Sequence, residues 1–128
     1  MCVEKIAYFN PTINGNFTYE YKLPDSQSNI NLRFDFGLFK IKVSSKTNYS
    51  LDLKIWRNKK DETLVFENNY QLTDNLKVIQ IENNYGNMNI FIGINNFEVE
   101  KGTTYCGELS LKQDGKVLDT SDCYFEVI

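Results

Sequence analysis

Residues 30–36 alternate strictly between apolar and polar side chains. They read Ile30-Asn31-Leu32-Arg33-Phe34-Asp35-Phe36. Successive side chains of a β-strand point to opposite faces, so this pattern predicts a strand with one buried and one solvated face. Three further runs alternate in the same way, with apolar residues at Phe17, Tyr19, Tyr21 and Leu23, at Phe39, Ile41 and Val43, and at Leu51, Leu53 and Ile55. No segment has the spacing of three and four residues that an amphipathic helix requires.

Turn residues divide the rest of the chain into further short strands. We expect these at Thr63–Glu67, Leu76–Glu82, Asn89–Asn95, Thr103–Lys112, Lys116–Asp119 and Cys123–Ile128. The clearest hairpin turn is Asp114-Gly115, because a type I′ turn needs positive φ at both central residues. Many short strands indicate a sandwich or a barrel. We favour the sandwich, because its strands can differ in length, whereas a small barrel needs a consistent stagger.

The C-terminal stretch supports one kind of sandwich. From Gly102 to Val127 it runs through Gly-Thr-Thr-Tyr, two alternating leucines, the Asp-Gly turn, and then Phe125 and Val127. This stretch resembles the closing hairpin of many bacterial immunoglobulin-like domains, a likeness that bears on the fold and implies no activity. We therefore predict an all-β fold, an immunoglobulin-like sandwich of two antiparallel sheets, in a single domain over residues 1–128.

The composition is that of a globular protein in which acidic residues slightly outnumber Lys and Arg. The chain has 128 residues, 41% of them hydrophobic, and a formal net charge of −3. This charge argues against broad nucleic-acid binding, which needs Lys and Arg to neutralise phosphates. The N-terminus lacks the basic and apolar segments of a signal peptide, and no apolar stretch approaches the length of about 18 residues that a membrane helix needs. We therefore expect a cytoplasmic protein that does not enter a membrane.

The chain contains no histidine. This removes the commonest general base, the commonest metal ligand and every Ser-His or Cys-His nucleophile. The carboxylates stand singly or beside lysines, and no Gly-rich phosphate loop is present. The segment Asp119–Asp122 offers oxygens to calcium, but a turn or bulge explains it better, because it lacks the ligand density of a calcium site. We predict a protein that is not an enzyme, with no catalytic residue, no metal and no cofactor.

The three cysteines raise the question of a disulfide. A two-residue turn in the C-terminal hairpin would place Cys106 opposite Cys123, where a strained disulfide could form. In that register Phe125 and Val127 would lie on the wrong face of the hairpin. A β-bulge within Asp119–Asp122 restores a single apolar face, turns Cys123 inward and leaves Cys106 outward. We therefore predict reduced thiols.

The same alternation predicts which side chains form the core. We expect burial of Tyr19, Tyr21, Leu32, Phe34, Ile41, Leu53, Ile55, Ile92, Leu109, Leu111, Phe125 and Val127.

Trp56 is the single tryptophan, and the alternation of its strand points it outward. An outward Trp often marks a contact, although a loop or a neighbouring strand could cover it. The sequence Glu-Asn-Asn-Tyr occurs at 67–70 and again at 82–85, and a hairpin between the two strands would bring the second copy beside the turn at 58–61. Tyr, Asn and a few cations are typical of adaptable binding loops. The predicted partner-binding residues are Trp56, Arg57, Lys59, Lys60, Asn83, Asn84, Tyr85 and Asn87.

An alternative surface is the polar face that carries four cations. These are Arg33, Lys40, Lys42 and Lys54, which could attract an acidic partner or a phosphate ligand. Binding there should weaken steeply with salt, whereas binding at the loop end should not.

Three functions are compatible with these patterns. The first is a non-enzymatic binding or interaction module whose partner is a protein or a small ligand, with a homo-oligomer as a further alternative. The second is a small inhibitor or accessory protein of a phage or mobile element that binds a host protein or a small signalling ligand, which gene neighbourhood would reveal. The third is a carboxylate-dependent enzyme. We favour the first.

Overall fold

The computed structural model describes residues 4–42, 48–57, 63–72, 78–82 and 85–128. These residues form strands and connections, and no helix occurs among them. The strands are β1 (Lys5–Ile13), β2 (Asn16–Phe17), β3 (Glu20–Tyr21), β4 (Asn29–Lys42), β5 (Tyr49–Arg57), β6 (Thr63–Leu72), β7 (Val78–Glu82), β8 (Tyr85–Glu98), β9 (Thr103–Gln113) and β10 (Lys116–Val127). The all-β prediction is confirmed.

Two sheets of five strands pack face to face. The first sheet has the order β2-β1-β4-β8-β7, and the second has the order β3-β10-β9-β5-β6. Every pair is antiparallel except β3 with β10, which is parallel. Strands β1, β4, β8 and β7 take the places of A, B, E and D of an immunoglobulin domain, and β10, β9, β5 and β6 those of G, F, C and C′. The fold is thus the immunoglobulin-like sandwich expected from the sequence.

Tyr105, at the start of β9, anchors the connection between the sheets. Its hydroxyl oxygen accepts a hydrogen bond from the backbone N–H of Glu100 at 3.0 Å. Its ring stacks on Phe125 with the ring centroids 5.3 Å apart. Immunoglobulin domains use a tyrosine at the corresponding corner to tie this connection to the core.

The core lies between the sheets and follows the predicted alternation. All twelve residues predicted to be buried are buried, except Tyr19. Phe34 is fully buried, with ring centroids 5.1 Å from Phe9 and 6.1 Å from Phe125. Its ring edge rests on Gly107, where an added Cβ would lie 3.1 Å from the ring. The two sheets therefore meet closely at their centre.

The prediction for Tyr19 was wrong, because residues 17–23 do not form one strand. Strand β2 pairs with β1 in the first sheet, whereas β3 pairs with β10 in the second. Tyr19 lies where the chain crosses between the sheets, and 68% of it is exposed. Its ring meets Phe17 edge to face with centroids 4.8 Å apart. Alternation therefore continues across a change of sheet, and burial does not.

A bulge in β4 corrects the expectation that Phe39 and Ile41 share the buried face. The register with β8 shifts between Leu38 and Ile41, and Lys40 has a φ of 60°. Leu38 and Ile41 are buried, while Phe39 is 41% exposed. A bulge inserts one extra residue and so turns the neighbouring side chain to the other face.

The bulge predicted in the C-terminal hairpin is present. The register of β10 against β9 shifts between Val117 and Asp119, one residue before the predicted segment. Cys123 therefore lies opposite Gly107 and is buried, while Cys106 lies on the outer face. Neither of these cysteines forms a disulfide. Burial raises the pKa of the Cys123 thiol well above its ordinary value. Cys2 lies outside the described residues.

Candidate functional site on the outer face of the second sheet

The two halves of the predicted loop-end surface lie at opposite ends of the sandwich. Arg57 ends β5 and pairs with Tyr105, and its guanidinium lies 3.6 Å from the carboxylate of Glu100. Tyr85 begins β8 and pairs with Lys42 at the far end of the first sheet. The expected hairpin between the two Glu-Asn-Asn-Tyr copies does not form, because β6 and β7 belong to different sheets. The prediction of a joint surface was therefore wrong.

The remaining residues of that surface divide into two groups. Lys59, Lys60, Asn83 and Asn84 lie outside the described residues. Asn87 lies in β8, where its side-chain oxygen accepts the backbone N–H of Lys40 at 3.0 Å. This bond supports the left-handed residue of the β4 bulge. Asn87 therefore has a structural role that its sequence position did not reveal.

The alternative prediction, a single polar face that carries four cations, was also wrong. Arg33 and Lys40 lie in the first sheet, whereas Lys54 lies in the second. The Arg33 Nε is 2.9 Å from a carboxylate oxygen of Asp35, and the Lys54 Nζ is 3.8 Å from one of Glu67. Lys42 belongs to β4 in the first sheet as well. These cations are thus divided between two faces and partly neutralised.

The outward orientation predicted for Trp56 is confirmed, and Trp56 belongs to a row of four side chains. It lies opposite Leu64 on β6 and opposite Cys106 on β9, and Cys106 lies opposite Tyr124 on β10. Directly opposed residues of antiparallel strands share one face of the sheet. With strands about 4.8 Å apart, the row crosses about 14 Å of the outer face. We call Leu64, Trp56, Cys106 and Tyr124 the aromatic row.

The aromatic row is open to solvent at both ends and partly open in its middle. Tyr124 is 53% exposed and Leu64 is 39% exposed, while Trp56 and Cys106 are half-buried. Cys106 raises the pKa of the Tyr124 phenol, first through the negative charge of its thiolate form and then through a hydrogen bond. These two side chains are therefore in contact, and the row forms a continuous strip. An exposed apolar strip with a polar rim is typical of an interaction surface.

Four carboxylates surround Tyr124. Asp122 and Glu126 flank it on β10, each about 7 Å along the strand. Glu108 lies opposite Asp122, and Glu20 lies opposite Glu126. None of the four forms an ion pair with a described cation, and the cation opposite Glu108 in the sheet, Lys54, pairs with Glu67. We call these four residues the acidic rim, and they give this half of the face a negative charge.

The polar residues beyond the aromatic row satisfy one another. Asp52 accepts a hydrogen bond from the Asn69 amide at 2.6 Å and forms an ion pair with Lys112. The bond from Asn69, followed by the bond from Lys112, lowers the pKa of Asp52. A general acid needs the opposite shift, so this carboxylate is suited to holding the sheet face and not to proton transfer. Among the described residues, no group of three or more acidic or cysteine side chains could hold a metal ion.

Sequence reasoning missed Tyr124 and the acidic rim. The buried alternation of Cys123, Phe125 and Val127 already assigns Tyr124 to the outer face. Which strands stand beside it depends on the order of the sheet, and the alternation carries no information on that order.

Comparisons with known proteins bear on the fold alone. No protein-family model matches the chain, and no curated protein matches it. It is similar to part of a bacterial adhesin from Mobiluncus mulieris that contains intramolecular disulfide, isopeptide and ester cross-links. That match has a TM-score of 0.63 and 7% identity, and it covers 99% of this chain and 58% of the adhesin chain.

Parts of two enzymes are also similar. An alkylpurine DNA glycosylase of Pseudomonas fluorescens matches with a TM-score of 0.51 and 13% identity over 97% of this chain and 30% of its own. A β-glucuronidase of Bacteroides uniformis matches with a TM-score of 0.52 and 14% identity over 95% of this chain and 12% of its own. The chain thus has the size and fold of one unit within larger proteins of differing activity.

The described part of the chain has no helix long and apolar enough to cross a membrane.

Proposed function

We propose that the chain is a non-enzymatic binding module that docks a basic protein surface on its second sheet. The observation that carries this proposal is the aromatic row with its acidic rim. Tyr124 stands more than half exposed among four carboxylates that have no described cationic partner. The absence of histidine from the sequence and the lowered pKa of Asp52 support a role without catalysis.

The row and the rim would contribute different parts of the binding. Tyr and Trp supply large contact areas at low cost in side-chain entropy, and they often dominate the energy of an interface. A partner Arg or Lys could stack on Tyr124 or Trp56, where a cation–π contact contributes about 0.5–2 kcal/mol. The rim would steer such a cation to the row and disfavour acidic competitors.

A second copy of this chain fits the face less well. A two-fold dimer would place the same patch on both sides of the interface. The acidic rims would then oppose each other, and like charges across an interface destabilise it. Two cations on this face, Lys54 and Lys112, already form ion pairs with Glu67 and Asp52. The electrostatics therefore favour a basic partner over self-association.

The similarity to an adhesin part supports a binding role only at the level of the fold. Sandwiches commonly carry binding surfaces on a rigid scaffold, but a fold does not determine a function. The docking face is inferred from this chain's own residues, and it can be tested without any assumption about the adhesin.

The test uses Cys106, which lies in the middle of the aromatic row. In a Cys2→Ser background, proteins captured from the native cell would be identified, purified and titrated against the chain. We expect a basic partner whose affinity falls with rising salt and which slows maleimide labelling of Cys106. Tyr124→Ala and Asp122→Lys should each weaken binding by about tenfold or more, a loss of about 1.4 kcal/mol.

Val117→Ala is the matched control, because Val117 is also on β10 and 52% exposed, but lies outside the row. Its affinity should equal that of the unsubstituted chain. Capture of acidic partners only, unchanged Cys106 labelling at saturation, or full affinity in Tyr124→Ala would each contradict the proposal. Concentration-dependent dimerisation that Tyr124→Ala abolishes would replace it with self-association.

A further inference from the structure

A groove lies on the opposite side of the molecule, on the outer face of the first sheet beside the tip of the β1–β2 hairpin. A Cβ added at Gly15, in the hairpin tip, would lie 3.9 Å from the Arg33 guanidinium and 4.0 Å from the Asp35 carboxylate. Between this tip and β8 the groove has a volume of about 840 Å³. Small-ligand sites commonly have volumes of about 300–1,000 Å³. The groove is therefore large enough for a ligand of several rings.

Carboxamides dominate the polar lining of the groove. The described lining includes no carboxylate, and its amides are Asn14, Gln27, Asn29, Asn31, Asn95 and Asn96. Asn31 accepts the backbone N–H of Asn96 at 3.2 Å, and the other five side chains make no hydrogen bond within the described protein. Each carboxamide can both donate and accept hydrogen bonds. The groove thus offers many neutral donors and acceptors to a ligand.

A bulge in β8 presents two of these amides together. The register with β4 shifts between Ile30 and Leu32, so that Asn95 and Asn96 stand opposite Asn31 alone. Asn96 has a φ of 56°, a left-handed conformation that is uncommon outside glycine. Bulges often re-aim side chains next to functional sites. Here the bulge places two consecutive amides along one wall.

An aromatic platform lies beside them. Phe91 is 57% exposed, and the Arg33 guanidinium covers one face of its ring at 4.0 Å from the centroid. Asp35 holds Arg33 in place through the 2.9 Å ion pair. Two residues further along β8, a Cβ added at Gly93 would meet nothing within 4 Å. The surface between Phe91 and Asn95 is therefore flat and open.

The floor of the groove contains a polar group without a partner. Thr12 is 3% exposed, and its hydroxyl makes no hydrogen bond within the described protein. Its carbonyl accepts the Tyr21 hydroxyl at 2.9 Å, which ties the floor to the core. Buried polar atoms in proteins are nearly always satisfied. A buried water beside Thr12 would satisfy this hydroxyl and connect it to the polar lining of the groove.

From these features we infer that the groove binds a neutral carbohydrate. Sugar hydroxyls donate and accept hydrogen bonds, as the carboxamides of Asn14, Asn29 and Asn95 do. The apolar C–H face of a pyranose ring can pack on the exposed part of Phe91. Gly93 leaves the space that a ring beside Phe91 requires.

The other ligand classes fit less well. An anionic polymer needs several cations, and the described lining offers only Lys22 and Arg33, of which Arg33 is paired with Asp35. An apolar ligand would remove water from the amides without replacing its hydrogen bonds, which is costly. A neutral polyhydroxyl ligand avoids both costs.

The test is an array of neutral and acidic oligosaccharides, followed by calorimetry with the neutral glycan that binds best. We expect binding to neutral glycans that does not change with ionic strength. Gly93→Tyr should weaken it by about tenfold or more, because an added Cβ there meets nothing within 4 Å and the new ring would occupy the groove. Phe91→Ala should weaken it to a similar extent, and Gly93→Ala much less.

Thr120→Tyr is the matched control, because it adds the same ring to the outer face of the second sheet. It should bind the glycan as the unsubstituted chain does. The inference is overturned if no neutral glycan binds, if only acidic glycans bind, or if folded Gly93→Tyr and Phe91→Ala variants keep full affinity. Tyr124→Ala should leave glycan binding unchanged, because Tyr124 lies on the second sheet and the groove lies on the first. The protein-docking proposal and this inference are therefore tested by different variants and can fail separately.

Discussion

The contact between Phe34 and Gly107 at the centre of the sandwich allows a quantitative prediction. Phe34→Ala removes a ring that is fully buried between Phe9 and Phe125. Truncation of a buried Phe to Ala typically costs about 3–5 kcal/mol, through lost transfer free energy and the cavity that remains. We expect the upper half of this range, because ring contacts fix the neighbours and limit collapse.

Gly107→Ala should destabilise the protein in the opposite way, by overpacking. The added methyl would lie 3.1 Å from the Phe34 ring and 3.2 Å from the Cys123 sulfur. Extra methyl groups in a packed core cost about 1–3 kcal/mol. In Phe34→Ala the ring is gone, and the methyl can enter the cavity with Cys123 as its remaining close neighbour. The double variant should therefore be more stable than the sum of the single effects predicts, by about 1 kcal/mol or more.

Urea unfolding followed by far-UV circular dichroism under reducing conditions would measure these free energies. Val117→Ala, at an exposed position, is the control and should change stability by less than about 0.5 kcal/mol. A loss below about 1 kcal/mol for Phe34→Ala would show that the ring is not central to the core. Strict additivity of the two substitutions would refute the proposed contact between the sheets.

Three further predictions concern single groups. The free energy of unfolding should fall as the pH rises above about 9. Burial raises the pKa of Cys123 and raises that of Tyr21 to about 12, so the unfolded chain releases these protons at lower pH than the folded chain does. Urea unfolding from about pH 8 to pH 11 should show this fall, and Cys123→Ala should make it smaller. In the native Cys2→Ser protein, a maleimide should label Cys106 much faster than Cys123, as peptide mass spectrometry would show, and equal rates would contradict the inward orientation of Cys123. Gly115→Ala should cost about 1–2 kcal/mol in thermal unfolding because φ is 83° there, whereas Gly93→Ala should be neutral or stabilising, and equal effects would contradict the turn geometry.

The sequence could predict those features that follow from alternation within one strand. Burial of Leu53 and Ile55, the outward orientation of Trp56 and the inward orientation of Cys123 depend on period two and on the rule that large apolar side chains avoid water. The bulge in the C-terminal hairpin followed from the same rule, because Phe125 and Val127 could not otherwise join the core.

Features that depend on neighbours could not be predicted in this way. Alternation does not say which sheet receives a strand. The prediction that Arg57 and Tyr85 lie at one end assumes a hairpin between the strands that contain the two Glu-Asn-Asn-Tyr copies, but β6 and β7 belong to different sheets. Lys40 and Asn96 adopt left-handed conformations without being glycine, and the amides that support them, on Asn87 and Asn31, come from the adjacent strand. Such bulges turn side chains locally, and composition carries little sign of them.

The β4 and β9 strands show how the two proposed sites relate to each other. Arg33 and Asp35 point outward on either side of Phe34, and Cys106 and Glu108 point outward on either side of Gly107. The contact of Phe34 with Gly107 is thus a short packed path from the groove to the aromatic row. Coupling between sites requires an element with two arrangements, and a close-packed core between rigid sheets offers none here. We therefore expect the two ligands to bind independently, so that a saturating neutral glycan changes the affinity for the basic partner by less than about twofold, or about 0.4 kcal/mol. A larger change, measured by calorimetry in both orders of addition, would show that the sheets shift against each other at this contact.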